Sequence, residues 1–155
     1  ISGHPGYAMQ TGFDELVRDV VERVQANPAL WKKTAILVTF DEGGGYYDSG
    51  YVQLIDFFGD GTRIPMIAIS PHAKRGHVDH TYYDHASILK FIQRNWGMPP
   101  LSKRSRDNLP NPVHNAKSPY IPANRPAIGD LMNMFDFART GDKQAATLSR
   151  TVRQP

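Results

Sequence analysis

Residues 35–40 read AILVTF and run straight into DEGGG at residues 41–45. An unbroken apolar, β-branched stretch of this length suits a strand buried on both faces of a mostly parallel sheet; a half-exposed strand alternates polar with apolar positions. The run stops at two acids, so Asp41 and Glu42 sit where a buried strand gives way to a loop. Open α/β sheets carry their ligands and catalysts at that place. Neighbouring strand residues point to opposite faces, and two adjacent carboxylates reach one point only if the backbone turns sharply behind them. Gly43, Gly44 and Gly45 permit the turn and let backbone N–H groups come close to an ion or a phosphate. Two hard oxygen donors beside such a turn suit a divalent cation. The plainer alternative is a solvated acidic pair in a glycine turn.

The elements around this strand are of the α/β kind. Phe13, Leu16, Val17, Val20, Val21 and Val24 repeat at helical spacing from a Thr11 start, and Asn27-Pro28 closes that helix. With the strand it makes a helix-then-strand unit. A second short apolar run, Met66 to Ser70, predicts a second buried strand. Asp84 is placed to cap a helix whose apolar side is Ile88, Leu89, Phe91, Ile92 and Trp96, with Gly97 just past its end. Residues 98–126 hold seven prolines and little periodicity, which predicts an extended segment wrapping the surface. A short helix is expected from Ile128 to Phe137, and residues 139–155 read as a frayed tail.

Histidine supplies the other candidate chemistry. His4 lies between Gly3 and Pro5 in an irregular loop and is free to face a site. His72, His77, His80 and His85 crowd the loop after the second strand, too spread for more than two or three to share a centre. His85 falls in the first turn of the Asp84 helix, where a site role and a simple loop hydrogen bond are equally good readings. With no cysteine, any metal must bind through oxygen and imidazole. The long loop after the glycines lacks the alternating acids of an EF-hand, and neither of its glycine clusters carries the GK[ST] of a phosphate-binding P-loop.

The net charge of +3 conceals an asymmetry. Residues 1–70 carry nine acids against five bases, and residues 71–106 carry seven bases against two acids. Such a half suits a phosphate-bearing partner or is simply a solvated basic face. No stretch is long and apolar enough for a membrane span, and the chain opens on Ile1, which suggests a piece of something longer.

DEGGGYYD, then GTRIPMIAISPHAKRG, then YYDHASILKFIQRNW, with SGHPGYAMQTG ahead of them, resemble the bacterial phosphoesterase family over residues 2 to about 136. That family holds phosphatidylcholine-type phospholipases C and acid phosphatase relatives within the alkaline phosphatase superfamily. The resemblance implies that residues 1–138 form the C-terminal part of a phosphoesterase domain. The fold it implies is the C-terminal half of an alkaline-phosphatase-like three-layer α/β/α domain with a mostly parallel sheet. It implies Asp41 and Glu42 as ligands of a divalent metal ion, and His4 as a catalytic residue contacting the substrate phosphate. His85 follows as a second phosphate contact, whereas Arg63 and Ser70 match positions that read as structural. Ser49 stands where many members carry a histidine, so that histidine's role does not transfer. A Ser or Thr nucleophile and an early Glu-Asn metal pair would come from an N-terminal part of the same enzyme. The implied substrate is a phosphate monoester or a phospholipid, and the implied compartment is periplasmic or secreted.

Two rival functions follow from the same residues. One is a sulfatase-like relative with another substrate. The other is a non-catalytic basic module, Lys74 to Arg106, docking on anionic lipid or nucleic acid. It has neither the aromatic-basic interleaving of single-strand binders nor a helix-turn-helix pattern, and no specific nucleic acid is expected.

Overall fold

The computed structural model describes His4, Gly6 and residues 10–138. The tail expected at 139–155 lies outside the described residues. The chain divides into two compact units, one of Ile1–Gly50 with Gly61–Ala73 and the other of Tyr51–Asp60 with Lys74–Pro155.

The first unit holds helix α1 (Gln10–Gln25), the short helix α2 (Pro28–Trp31), and strands β1 (Ile36–Thr39) and β2 (Met66–Ile69). Asn27 ends α1 and begins α2, its Oδ1 accepting from the backbone N–H groups of Ala29 and Leu30 at 3.2 and 3.1 Å. β1 and β2 pair antiparallel, Ile36 opposite Ile69 and Thr39 opposite Met66. A mostly parallel sheet is expected and the described pair is antiparallel; the cause lies in the connection. Parallel neighbours need a crossover, usually through a helix. No helix lies between Thr39 and Met66, so the chain returns as a wide hairpin. An apolar run looks the same in either arrangement.

Burial is also lower than the sequence suggests. All four positions of β1 are half-buried, and Ile67 of β2 is exposed. Two strands cannot cover both of their own faces. The ring of Phe13 on α1 stacks on Phe40 with centroids 5.4 Å apart. The strand pair is pinned at both ends by side chains. Thr39 Oγ1 donates to Pro65 O at 2.8 Å, and Ser70 Oγ donates to Thr34 O at 2.9 Å.

The second unit is built on helix α3 (Ala86–Trp96). Asp84 and Ser87 cap it reciprocally: Ser87 N–H donates to Asp84 Oδ1 at 3.2 Å, and Asp84 N–H donates to Ser87 Oγ at 3.1 Å. Gly97 closes it in the left-handed region with φ of 63°, while Met98 N–H donates to Gln93 O. The buried residues of α3 are Ser87, Lys90 and Gln93, whereas Ile92 and Trp96 of the apolar face are exposed. Each of the three buried side chains has a polar partner waiting. Lys90 Nζ donates to Ile128 O, Leu109 O and Asn111 Oδ1 at 2.6, 2.8 and 2.9 Å, and Gln93 Nε2 donates to Asp107 Oδ2 at 2.7 Å.

The apolar core is Ala127, Ile128, Leu131, Met132 and Phe135, with Phe91, Phe135 and Phe137 stacked in series. The expected helix from Ile128 to Phe137 shrinks to a single 3-10 turn, Met132–Met134. Ile128 N–H donates to Pro110 O and Gly129 N–H to Tyr82 O, so the backbone groups a helix would need are committed to neighbouring segments. Residues 98–126 form no α-helix or strand and hold one 3-10 turn at Arg106–Asn108. They are cross-tied by Asn124, whose Oδ1 accepts from Val113 N–H at 2.7 Å.

Candidate active site

The antiparallel hairpin brings the end of β1 and the start of β2 to one edge of the first unit. Phe40 carries the chain out of β1, and Asp41 and Glu42 form a bend. Gly44 and Gly45 take φ of 67° and 78°, the left-handed region that glycine enters without a Cβ clash. The turn folds back on the acids. Glu42 N–H donates to Asp41 Oδ1 at 3.0 Å, and Gly44 N–H donates to Glu42 Oε2 at 2.9 Å. One oxygen of each carboxylate is thereby oriented by the backbone.

The other oxygen of Glu42 meets a histidine. His4 Nε2 lies 3.2 Å from Glu42 Oε1 across 38 residues of sequence (42 − 4 = 38), both side chains about half exposed. The site read from the sequence thus gathers Glu42 and His4, with Asp41 adjoining through the bend. His85 belongs to the second unit, at the residue preceding α3, and is exposed. Among the described residues no group of three or more His, Asp or Glu is gathered to hold a metal.

Gly43 is fixed by space. A Cβ there would collide with the Thr62 hydroxyl. Beside it opens a pocket of about 350 Å³ lined by Gly43, Tyr46, Tyr47, Thr62 and Arg63. Its floor is tied by an ion pair whose geometry the sequence does not announce. Asp48 accepts from Arg63 Nη2 at 2.6 Å, from Arg63 Nε, from Arg63 N–H at 2.8 Å and from Gly50 N–H at 2.9 Å. The Arg63 guanidinium and these backbone donors hold the Asp48 carboxyl well below the usual carboxylate range. Arg63 so serves the loop's shape, in line with its expected structural role. Asp48 is fifteen residues away, a separation without periodic signal.

The remaining histidines are dispersed. His72 Nε2 lies 3.0 Å from Lys32 O, at the far end of the strand pair from the acids. His80 stands edge-on against Tyr120 in the second unit. Two bases of the expected basic face are committed to partners within the second unit. Lys90 is buried on three oxygens. Arg106 donates to Asp56 Oδ2 at 2.7 Å and to Gly59 O at 2.5 Å, and reaches Asp60 and Asp84 at 3.4 and 3.3 Å. Burial pushes the Asp84 carboxyl upward, assisted by Asp60 and opposed by Arg106. A face that commits these two cations to its own oxygens has fewer left for a polyanion.

Comparison with known sequences gives consistent relatives. A sequence model described as the Phosphoesterase family matches residues 1–99. Over 92% of this chain it is 30% identical to the hemolytic phospholipase C of Pseudomonas aeruginosa, of which it spans 20%. It is 29% identical to phospholipase C B of Mycobacterium tuberculosis over 89% of the chain, 28% of that protein. It is also 29% identical to non-specific phospholipase C6 of Arabidopsis thaliana over 59% of the chain, 22% of that protein. The chain therefore spans less than a third of the length of these relatives.

Proposed function

Because this chain belongs to the Phosphoesterase family, we propose that it supplies the acid-and-histidine edge of a phosphoester hydrolase acting on phospholipids or phosphate monoesters. The observation that carries the proposal is the meeting of His4 with Glu42 at the end of β1, in a loop where two hard donors adjoin a backbone turn.

Asp41 and Glu42 would hold a divalent ion, with its further ligands drawn from beyond the described residues. When bound, such an ion polarises a phosphoryl oxygen and lowers the pKa of an attacking hydroxyl. The chain's own part is to orient and to move protons. The Gly44 N–H bond to Glu42 Oε2 fixes one face of the carboxylate, and Glu42 Oε1 fixes the imidazole of His4. An imidazole held by a carboxylate keeps one tautomer. With both ring nitrogens protonated, Nδ1–H can steady charge on the phosphoryl oxygens or give its proton to the leaving oxygen while Nε2–H stays on Glu42.

A Ser or Thr nucleophile would come from an N-terminal part of the same enzyme. That part would also complete the alkaline-phosphatase-like three-layer domain, in whose mostly parallel sheet an antiparallel pair fits at the edge. The half-exposed faces of β1 and β2 agree with such a completion. The periplasmic or secreted setting belongs to the same proposal; among the described residues no helix is long and apolar enough to cross a membrane.

The division of labour is tested with p-nitrophenyl phosphate. Residues 1–155 alone are expected to give no metal-dependent turnover, while the complete protein turns over. Rates for the isolated chain near those of the complete protein would place the nucleophile within it and overturn the proposal.

A further inference from the structure

The loop Tyr51–Asp60 of the second unit carries three large apolar side chains almost wholly in water. Leu54 is 88% exposed, Phe57 96% and Phe58 90%. The two phenylalanine rings lock edge-to-face with centroids 5.4 Å apart, so they stand as one aromatic tip.

This tip is held outward by polar braces at its base and along its side. Gln53 is buried, and its amide pairs both ways with Ala127, Nε2 donating to Ala127 O at 2.8 Å and Oε1 accepting from Ala127 N–H at 3.1 Å. Gln53 N–H also donates to Tyr82 Oη. Arg106 grips Asp56 and Gly59 O, while Asp60 accepts from Tyr82 Oη at 2.8 Å. Phe58 N–H donates to Asp56 Oδ1. These bonds hold the backbone of the loop at both ends of the rings.

The same braces pair the two carboxylates nearest the rings with one guanidinium, which offsets part of their charge. Asp56 and Asp60 flank the rings in sequence, and both are turned back onto Arg106. The tip also has the wrong size for a protein partner. Two phenylalanines and a leucine offer roughly 500 Å², below the ~800 Å² that each side of a stable protein interface provides. A bilayer interface, by contrast, is reached by a few aromatic side chains on a rigid support.

We infer that the Leu54–Phe57–Phe58 tip is a membrane-docking wedge that inserts into the surface of a phospholipid bilayer. The inference rests on the proposal that the enzyme acts on phospholipid. The wedge would seat the enzyme on the surface that holds its substrate, leaving the chemistry to the other unit.

The test uses the complete protein and phosphatidylcholine vesicles, read by co-sedimentation, beside hydrolysis of soluble p-nitrophenyl phosphate. Phe57→Ser with Phe58→Ser is expected to lower vesicle partitioning about tenfold or more, and Leu54→Ser to lower it less. Soluble-ester turnover is expected to stay unchanged, and vesicle binding of the wild type to persist at high salt. Unchanged partitioning in both variants would overturn the inference. So would binding that needs anionic lipid and disappears at high salt, or a change of oligomeric state on removing the rings. Wild-type protein that docks through the rings yet hydrolyses no phosphate ester would leave the wedge standing and defeat the proposed chemistry instead.

Discussion

Lys90 is the position where the second unit stakes most on one side chain, and Lys90→Met isolates what it does. Methionine keeps the stem and the volume but removes the donors that reach Ile128 O, Leu109 O and Asn111 Oδ1. The bond to Ile128 O is buried and the other two are part-buried. An unpaired buried carbonyl costs about 1–3 kcal/mol, and acceptors that water can reach cost less. Against this stands the relief of removing a desolvated ammonium group. The balance is a loss of about 2–3 kcal/mol at neutral pH. It should also vary with pH. Burial lowers the Lys90 ammonium below its ordinary 10.5, with Asp130, Asp84 and Asp107 pulling the other way. The unfolded chain therefore holds its proton to higher pH than the folded chain, and folded stability rises as pH climbs from the lowered value towards 10.5. Lys90→Met has no such slope, so the gap between the two proteins should widen with pH. Equilibrium urea unfolding of the complete protein at a series of pH values measures both quantities. A loss under about 0.5 kcal/mol, the size of an ordinary surface change, or a gap that narrows with rising pH, would refute the reasoning.

Two further predictions concern the first unit. Gly43→Ala places a methyl against the Thr62 hydroxyl and should cut phosphoester turnover of the complete protein, with Gly43→Ala/Thr62→Gly recovering part of it; undiminished turnover in the single variant would mean that the close approach is slack. The Asp48 carboxyl is held below its ordinary 3.8, so the stability it contributes is complete above that value and is lost as pH falls further. In acid unfolding, Arg63→Met and Asp48→Asn should flatten the same part of the curve, and curves parallel to wild type would show that the pair does not shape the loop.

What the sequence disclosed and what it concealed divide along physical lines. α1, β1, β2 and α3 were legible because apolar spacing and end signals act locally: Asn27 and Gly97 stop helices wherever the chain goes. The strand pairing was concealed, since AILVTF carries no mark of its partner's direction. On α3, Lys90 and Gln93 look like solvent-facing residues until Ile128 O and Asp107 come within reach, and those partners lie 38 and 14 residues away. The segment 128–137 was legible as an element but not as its shape, because its backbone bonds run to Tyr82 and Pro110 in place of a helical ladder. At the candidate site, the Asp41-Glu42 pair and its glycine turn were visible in composition and position. His4 was singled out by its place in an irregular loop and given a role by the family resemblance, and spacing alone could not have foretold its approach to Glu42. The Arg106 hub depends on four oxygens from two separate stretches, residues 56–60 and Asp84, and leaves no local trace.

The central claim is that Asp41 and Glu42 hold a divalent ion, and calorimetric titration of the metal-stripped complete protein with a divalent cation tests it most directly. The account predicts that Asp41→Asn and Glu42→Gln each weaken binding by about tenfold or more with the fold intact by circular dichroism. Both variants binding the ion as tightly as the wild type would contradict it.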